Sequence, residues 1–356
     1  MPRAAEPALD AFFDQAAAQY EEALVERGAI ERHLRFAGRE VGLRFAGEEL
    51  AQALLPALAA RVVDERGAAP AVTIDLWVGG ADARVGWGPG DVGPRGLVNG
   101  SDHGRVAAVH ETFSGIVTLV DREGGRILYR VRDVARLPWW ERAAPLRPAL
   151  FFAMAASGGQ LVHAGAVGDP ARGGALLAGP SGSGKTTAAL AALEHGLRYV
   201  GDDYVLLEGG IAWNLYGTAK LDVAAGRGPQ PGAPSRAGTV LRSASPGSGE
   251  KLVLDLAARS GPSLIEALPI RAVIVPRIHG RRTRLCAITP VEALLALGPS
   301  TVFQMPFDGG GVVTTLAELV RLVPCFRLEV GERAHDLAAA IDDALEPRPR
   351  SRARCG

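Results

Sequence analysis

The stretch GPSGSGKTTAALAALEHGLRYVGDDYV, residues 179–205, gathers residue types that do phosphate chemistry. Gly179, four residues, then Gly184-Lys185-Thr186 fit the pattern of a phosphate-binding loop in full. Gly179, Gly182 and Gly184, with Ser181 and Ser183 between them, let backbone N–H groups curl round a phosphate. The helix that starts at Lys185, Thr186 and Thr187 adds the partial positive charge of its N-terminus. Lys185 would reach the β- and γ-phosphates of ATP, and the Thr186 hydroxyl would hold Mg2+. Asp202 and Asp203 follow only seventeen residues after that lysine. Two carboxylates so close to a γ-phosphate can divide two jobs: one binds Mg2+, the other accepts a proton from an attacking hydroxyl. A solvated Asp-Asp turn is the plain alternative. His163, in LVHAG, could line the same crevice or be a structural strand-end histidine.

These residues need elements to hold them. QLVHAGAVG (160–168) and GGALLAGPSG (173–182) read as short apolar strands, the second feeding the glycine loop. KTTAALAALEHG is a helix stopping at Gly196, and RYVGDDYVLLEGG reads as a strand. AVIVPRI (272–278) and CFRLEVG are later strands, while TPVEALLALGP, VTTLAELVRLV and ERAHDLAAAIDDALE are helices. Ahead of them, 7–27 has helical spacing, with Leu9, Phe12, Phe13, Ala16 and Tyr20 on one stripe. Leu34 and Phe36 opposing Val41, Leu43 and Phe45 predict a hairpin, as does ETFSGIVTLVDREGGRILYRV (111–131), turning at Glu123-Gly124-Gly125. PLRPALFFAMAASGG (145–159) is an apolar helix; its SGGQ end resembles a transporter-ATPase motif but lies upstream of the loop, where a glycine-terminated helix explains it.

Composition narrows the function classes. The 356 residues carry 39 basic and 39 acidic side chains, so a general nucleic-acid or acidic-membrane binder is not expected. The most apolar run, ALFFAMAA, is too short to span a bilayer. The start MPRAAEPALDAFFDQ has early acids and no apolar stretch, so no secretory leader is expected. Cys286, Cys325 and Cys355 are widely spaced, which argues against a disulfide framework or a zinc site and for a reducing cytoplasm. Only three of the basic residues are lysines: Lys185, Lys220 and Lys251. In so arginine-biased a chain, a lysine marks either a place needing a compact ammonium or a chance survivor.

VHAGAV…GALLAGPSGSGKTTAALAALEHGLRYVGDDYVLLE resembles the catalytic domain of HPr serine kinase/phosphorylase. It looks closer still to the smaller HPr-kinase-like proteins of peptide-tailoring clusters, including lasso-peptide kinases. A histidine ahead of the loop, the GxSGxGK[ST] loop, the helix and the Asp-Asp pair recur in order. The similarity is specific over roughly 160–210, weaker to about 330, and absent over 1–135. The implied fold class is α/β: a P-loop kinase domain related to HPr kinase and phosphoenolpyruvate carboxykinase over 136–346. A small α+β module (1–135) precedes it and a disordered basic tail (347–356) follows. The resemblance implies ATP- and Mg2+-dependent phosphorylation of a serine hydroxyl. Lys185 would then be the triphosphate residue, Thr186 the metal residue and Asp202 the general base. Asp203 would bind metal or hydrogen-bond its neighbour, and His163 would orient or stabilise charge. HPr kinases are hexameric, so a homo-oligomer is the family expectation. The family's PVRPGRN and LEIRGIG segments are missing here, which argues against phosphorolysis and against HPr as substrate.

Weaker candidates follow from position. Lys220 and Asp222 in GTAKLDV stand where the family keeps active-site residues, and Lys251 follows a Gly/Pro/Ser/Arg-rich stretch, 224–250, suited to a substrate lid. Arg277 could stabilise charge on the γ-phosphate or be a surface arginine. Three functions stay open: a serine kinase acting on a peptide or small protein, a kinase for a small hydroxyl metabolite, and a nucleotide-gated binding protein.

Overall fold

The computed structural model describes residues 6–64, 69–80, 84–222, 239–243, 251–257, 263–278, 280, 282–306 and 310–346. By internal contact the chain divides into two compact units, one of residues 1–157 with 305–308, the other of 158–304 with 309–356. The sequence placed this division near residue 135. Residues 139–155 instead form two helices that pack within the first unit.

The first unit comprises α1 (Glu6–Arg27), β1 (Ala29–Phe36), β2 (Arg39–Ala46), α2 (Glu48–Leu58), β3 (Val62–Val63), β4 (Val72–Val78), β5 (Val106–Glu111), β6 (Ile116–Asp121), β7 (Arg126–Val131), α3 (Trp139–Ala143) and α4 (Arg147–Ala155). Its seven-stranded sheet runs β3-β1-β2-β4-β7-β6-β5. Both expected hairpins form, β1 with β2 and β6 with β7. The predicted stripe of α1 does the packing: Leu9, Phe13, Ala16 and Tyr20 are buried against Trp77, Leu119 and Leu128. Asp75 on β4 is fully buried and is held by Arg44 at 2.7 Å and Arg126 at 2.6 Å. Burying a carboxylate without such partners would be costly.

The second unit comprises β8 (Gln160–Val162), β9 (Gly165–Asp169), β10 (Gly173–Leu177), α5 (Lys185–Glu194), β11 (Arg198–Gly201), β12 (Val205–Glu208), β13 (Ile211–Asn214), β14 (Thr218–Asp222), β15 (Thr239–Ser243), β16 (Lys251–Asp255), β17 (Ala267–Ile278), β18 (Arg284–Ala287), α6 (Pro290–Val302), α7 (Gly310–Leu322), β19 (Cys325–Val330) and α8 (Ala334–Ala344). A nine-stranded sheet runs β11-β9-β10-β17-β13-β12-β8, with β19 on β17 and β18 on β19; β14-β16-β15 form a separate sheet. Pairing is mixed. β17 runs parallel to β10 and β19, and the other pairs of the large sheet are antiparallel. The fold is therefore mixed α/β.

Helices cover both faces of this sheet, and strand alternation sorts the side chains. Val167, Ala175, Leu177 and Ile274 join α5 and α8 in one core. Ala166, Leu176, Ala178 and Val273 join α6 and α7 in the other. Burying one such leucine contributes about 2 kcal/mol. Because both faces are covered, the strands read as continuous apolar runs. Residues 224–238 and 244–250 of the expected lid, and the tail 347–356, lie outside the described residues. No described helix is long and apolar enough to cross a membrane. Cys325 has a free, buried thiol. Cys286 is disulfide-bonded, which departs from the expectation of unpaired cysteines.

Candidate functional site

Two strands expected to be continuous are each broken, and the breaks lie side by side. QLVHAGAVG splits into β8 and β9 at His163-Ala164. The run 198–208 splits into β11 and β12 at Asp202-Asp203-Tyr204. β8 pairs with β12 through Val162 and Val205, while β9 pairs with β11 through Ala166 and Gly201. Two antiparallel chains thus interrupt their ladders at one level, and the polar residues of both breaks meet there. The approach is close: a Cβ on Gly165 would stand 3.0 Å from the Asp202 Cα. A side chain there would need the Asp202 backbone to give by a few tenths of an ångström.

His163 Nε2 lies 3.2 Å from Asp203 Oδ1. The Lys220 ammonium on β14 hydrogen-bonds the other oxygen, Asp203 Oδ2. The Lys220 backbone N–H donates to Asp202 Oδ2 at 3.1 Å, so one residue grips both aspartates. Asp202 is buried, and Thr186, at the start of α5, is close enough to lower its proton affinity. The loop and the aspartate pair are thereby joined through the residue type that holds Mg2+ in phosphate-binding loops.

The environments drive the two carboxylates apart. Burial, then the charge of Asp203, push Asp202 from 3.8 up to about 6. Burial also raises Asp203, but Lys220 and His163 outweigh it and hold Asp203 well below the usual carboxylate range. Burial lowers His163, so its ring is neutral near pH 7. The bonds then fix the tautomer. Tyr204 OH donates to Gln304 Oε1, and Gln304 Nε2 donates to His163 Nδ1 at 3.1 Å. His163 Nε2–H is left to donate to Asp203. The His163 backbone N–H donates to Thr301 Oγ1 at 3.1 Å.

The glycine loop lies between β10 and α5. Gly179 has φ 143, and a Cβ there would stand 2.8 Å from Ser183 Oγ. Ser183 Oγ is buried without a hydrogen-bond partner, and the Gly184 N-cap gives α5 no side-chain cap. Lys185 is buried, its ammonium donating to the Gly179 carbonyl at 2.7 Å and the Pro180 carbonyl at 3.2 Å. Ser181 and Gly182 are exposed at the loop, and Thr187 is half-buried in the first turn of α5. An orphaned hydroxyl, a cradle that a Cβ would fill and an uncapped helix start suit a phosphate. Among the described residues no group of three or more His, Cys, Asp or Glu could hold a metal. The Thr186 hydroxyl still fits Mg2+, which takes few protein ligands and keeps phosphate and water oxygens.

The structure thus brings His163, Lys185, Thr186, Asp202, Asp203 and Lys220 to one region. It sets Asp202, not Asp203, beside Thr186. Arg277 is exposed; Pro276 and Ile278, its neighbours on β17, back Gly184, and alternation turns Arg277 to the other face. The side chains of Asp222 and Lys251 lie outside the described residues. Tyr204, Gln304 and Thr301 were not singled out from the sequence. Tyr204 directly follows the aspartate pair and carried a usable signal; Gln304, 141 residues from His163, carried none. No protein-family model matches the chain, and no curated protein matches it.

Proposed function

We propose that the second unit is an ATP-dependent kinase that phosphorylates a serine hydroxyl of a peptide or small protein. The observation that carries this reading is the carboxylate pair gripped by Lys220 through its backbone and its ammonium, with the buried Asp202 close to Thr186 at the end of the glycine loop. A loop that only held a nucleotide would need no second, tuned carboxylate next to it. The resemblance to HPr-kinase-like proteins points the same way.

Gly179 to Gly184 and the start of α5 would cradle the triphosphate, with Lys185 turning from the loop carbonyls to the β- and γ-phosphates. Mg2+, held by Thr186 with triphosphate oxygens, would neutralise charge on those phosphates when bound. Asp202, with a proton affinity near neutrality, takes the acceptor hydroxyl's proton. As it does so, that oxygen bonds to the γ-phosphorus and the bond to the leaving ADP oxygen breaks. Asp203 has both oxygens engaged, so we assign it no metal: with His163 and Lys220 it fixes the position of its neighbour. The acceptor is a peptide or small-molecule hydroxyl, not nucleic acid or membrane, and the need for ATP argues for the cytoplasm.

A phosphotransfer assay tests this. Purified protein is incubated with γ-labelled ATP, Mg2+ and a panel of serine peptides and small hydroxyl compounds. Label is expected on a peptide serine, with a rate lowered about 100- to 10,000-fold by Asp202→Asn and an unchanged Mg2+ requirement. Label passing only to water, equally with Asp202→Asn, would leave a nucleotide-gated binding protein.

A further inference from the structure

Two histidine rings meet where α5 ends and α8 begins. α5 runs for ten residues from the glycine loop, about 15 Å, so this place lies outside the site above. His195 is the C-cap of α5, and His335 stands in the first turn of α8. Both residues are exposed, and their ring centroids are 5.2 Å apart at an interplanar angle of 47°. The backbone beneath them is firmly held: Leu193 and Leu337, each two residues away, are buried in one core.

Hydrogen bonding decides which nitrogen is available. His195 Nδ1 lies 2.9 Å from the Ala191 carbonyl oxygen. A carbonyl only accepts, so Nδ1 carries the proton and the neutral ring presents its lone pair on Nε2. A metal-ligating histidine is held in the same way, its other nitrogen donating to a carbonyl or carboxylate that orients the ring. Beyond the ring contact, His335 makes no hydrogen bond or ion pair among the described residues, so no described partner competes for its nitrogens.

Distance and charge both fit one shared ion. With metal–nitrogen bonds of about 2.0–2.1 Å, two imidazoles on one tetrahedral ion have centroids roughly 5 Å apart. The last turn of a helix carries partial negative charge and favours a cation, and α5 has no basic residue in that turn to answer it. Glu194, Glu332 and Asp336 lie within three residues of the pair in sequence, against Arg198 and Arg333, so acids outnumber bases there.

We propose that His195 and His335 together bind one divalent transition-metal ion of the imidazole-preferring class, Zn2+, Ni2+ or Cu2+, through their ring nitrogens. Water completes the coordination, because no third His, Cys, Asp or Glu joins the pair among the described residues. The ion ties the end of α5 to the start of α8. Mg2+ and Ca2+ prefer oxygen ligands, so this ion is separate from the Mg2+ of the phosphate chemistry. Affinity follows the usual order for nitrogen sites, with Cu2+ above Ni2+ and Zn2+.

The tag-free full chain is titrated calorimetrically with Zn2+ in excess Mg2+, which occupies oxygen-donor sites. Wild type is compared with His195→Gln, His335→Gln and the double variant, all at exposed positions whose folding circular dichroism checks. We expect one Zn2+ bound by the pair, with affinity lowered at least about tenfold by either single variant and little further by the second. His103→Gln, which alters an exposed histidine beside Asp102, should bind Zn2+ as the wild type does. With one equivalent of Cu2+, electron paramagnetic resonance should show two histidine nitrogens on the copper, and neither single variant should keep both. No Zn2+ binding, binding indifferent to both variants, or two ions each lost with a different histidine would overturn the proposal.

Discussion

Lys220 stands at the centre of the side-chain network because it holds Asp203 through its ammonium and Asp202 through its backbone. Removing only the ammonium leaves Asp203 without its counter-ion. Lys220→Met is therefore expected to destabilise the second unit by about 3 kcal/mol at pH 7, read by urea unfolding. The pH dependence fixes the cause. Asp203 has a depressed pKa in the fold, so its stabilisation is present above its ordinary value of 3.8 and lost as pH falls below it. The gap between wild type and variant should narrow below about pH 4; a gap that stays constant would mean lost packing rather than lost pairing. A second expectation concerns the histidine. Gln304→Leu removes the donor to His163 Nδ1, so nitrogen NMR should show a single Nε2–H tautomer in the wild type and a mixture in the variant. That His163, Lys185, the aspartate pair and Lys220 belong together was legible in the sequence, because a glycine loop and paired acids are local motifs. The scarcity of lysine helped as well: Lys185 and Lys220, two of three, sit in it. Gln304 was not legible, because only the fold, which returns the chain just after α6 to His163, brings it to the ring.

The elements show why some positions resisted reading. Apolar periodicity predicts that RYVGDDYVLLE and QLVHAGAVG are strands, and each half of each is one. Periodicity carries no information on where a ladder must break to let two chains cross, and here Gly165 carries it instead. β18 was missed because RLCA is short and pairs only along an edge. In the first unit, α3 and α4 close over a buried polar cluster. Glu141 accepts from Tyr129 at 2.5 Å and Arg147 at 3.3 Å, and Arg147 reaches Glu111 at 3.4 Å. Burial, then the neighbouring Glu141, raise Glu111 from 4.5 to about 7. A raised carboxyl stabilises the fold fully below its unfolded pKa, and that contribution is lost as pH rises through its folded value. Raising pH from 5 to 8 should thus weaken the first unit, by on the order of 2 kcal/mol given a side chain still 24% exposed. Unfolding followed by the fluorescence of Trp77, Trp87, Trp139 and Trp140 reads this directly. Glu111→Gln should flatten the slope; an unchanged slope would place its origin elsewhere.

The division of the molecule into two units, each with its own core, decides how a nucleotide should act on it. Strand patterning, which ends near residue 135, placed the boundary there, but chain contact sets it after Ser157. The reason is physical: Leu150 and Met154 of α4 are buried, and Glu141 and Arg147 tie this segment to β5 and β7, which no local pattern records. All the residues proposed to bind phosphate fall in the second unit. A ligand that binds only the folded state stabilises what it binds by RT ln(1 + [L]/Kd), about 2.7 kcal/mol at a hundredfold excess over Kd. ATP with Mg2+ should therefore slow hydrogen exchange through β10, α5, β11 and β19 about a hundredfold where exchange requires unfolding of the second unit. The same amides of α1, β4 and β7 should be unchanged. Lys185→Ala should remove the effect without altering exchange in the first unit. Equal protection of both units would mean that they open as one cooperative body, and no protection at all would remove the nucleotide from the loop.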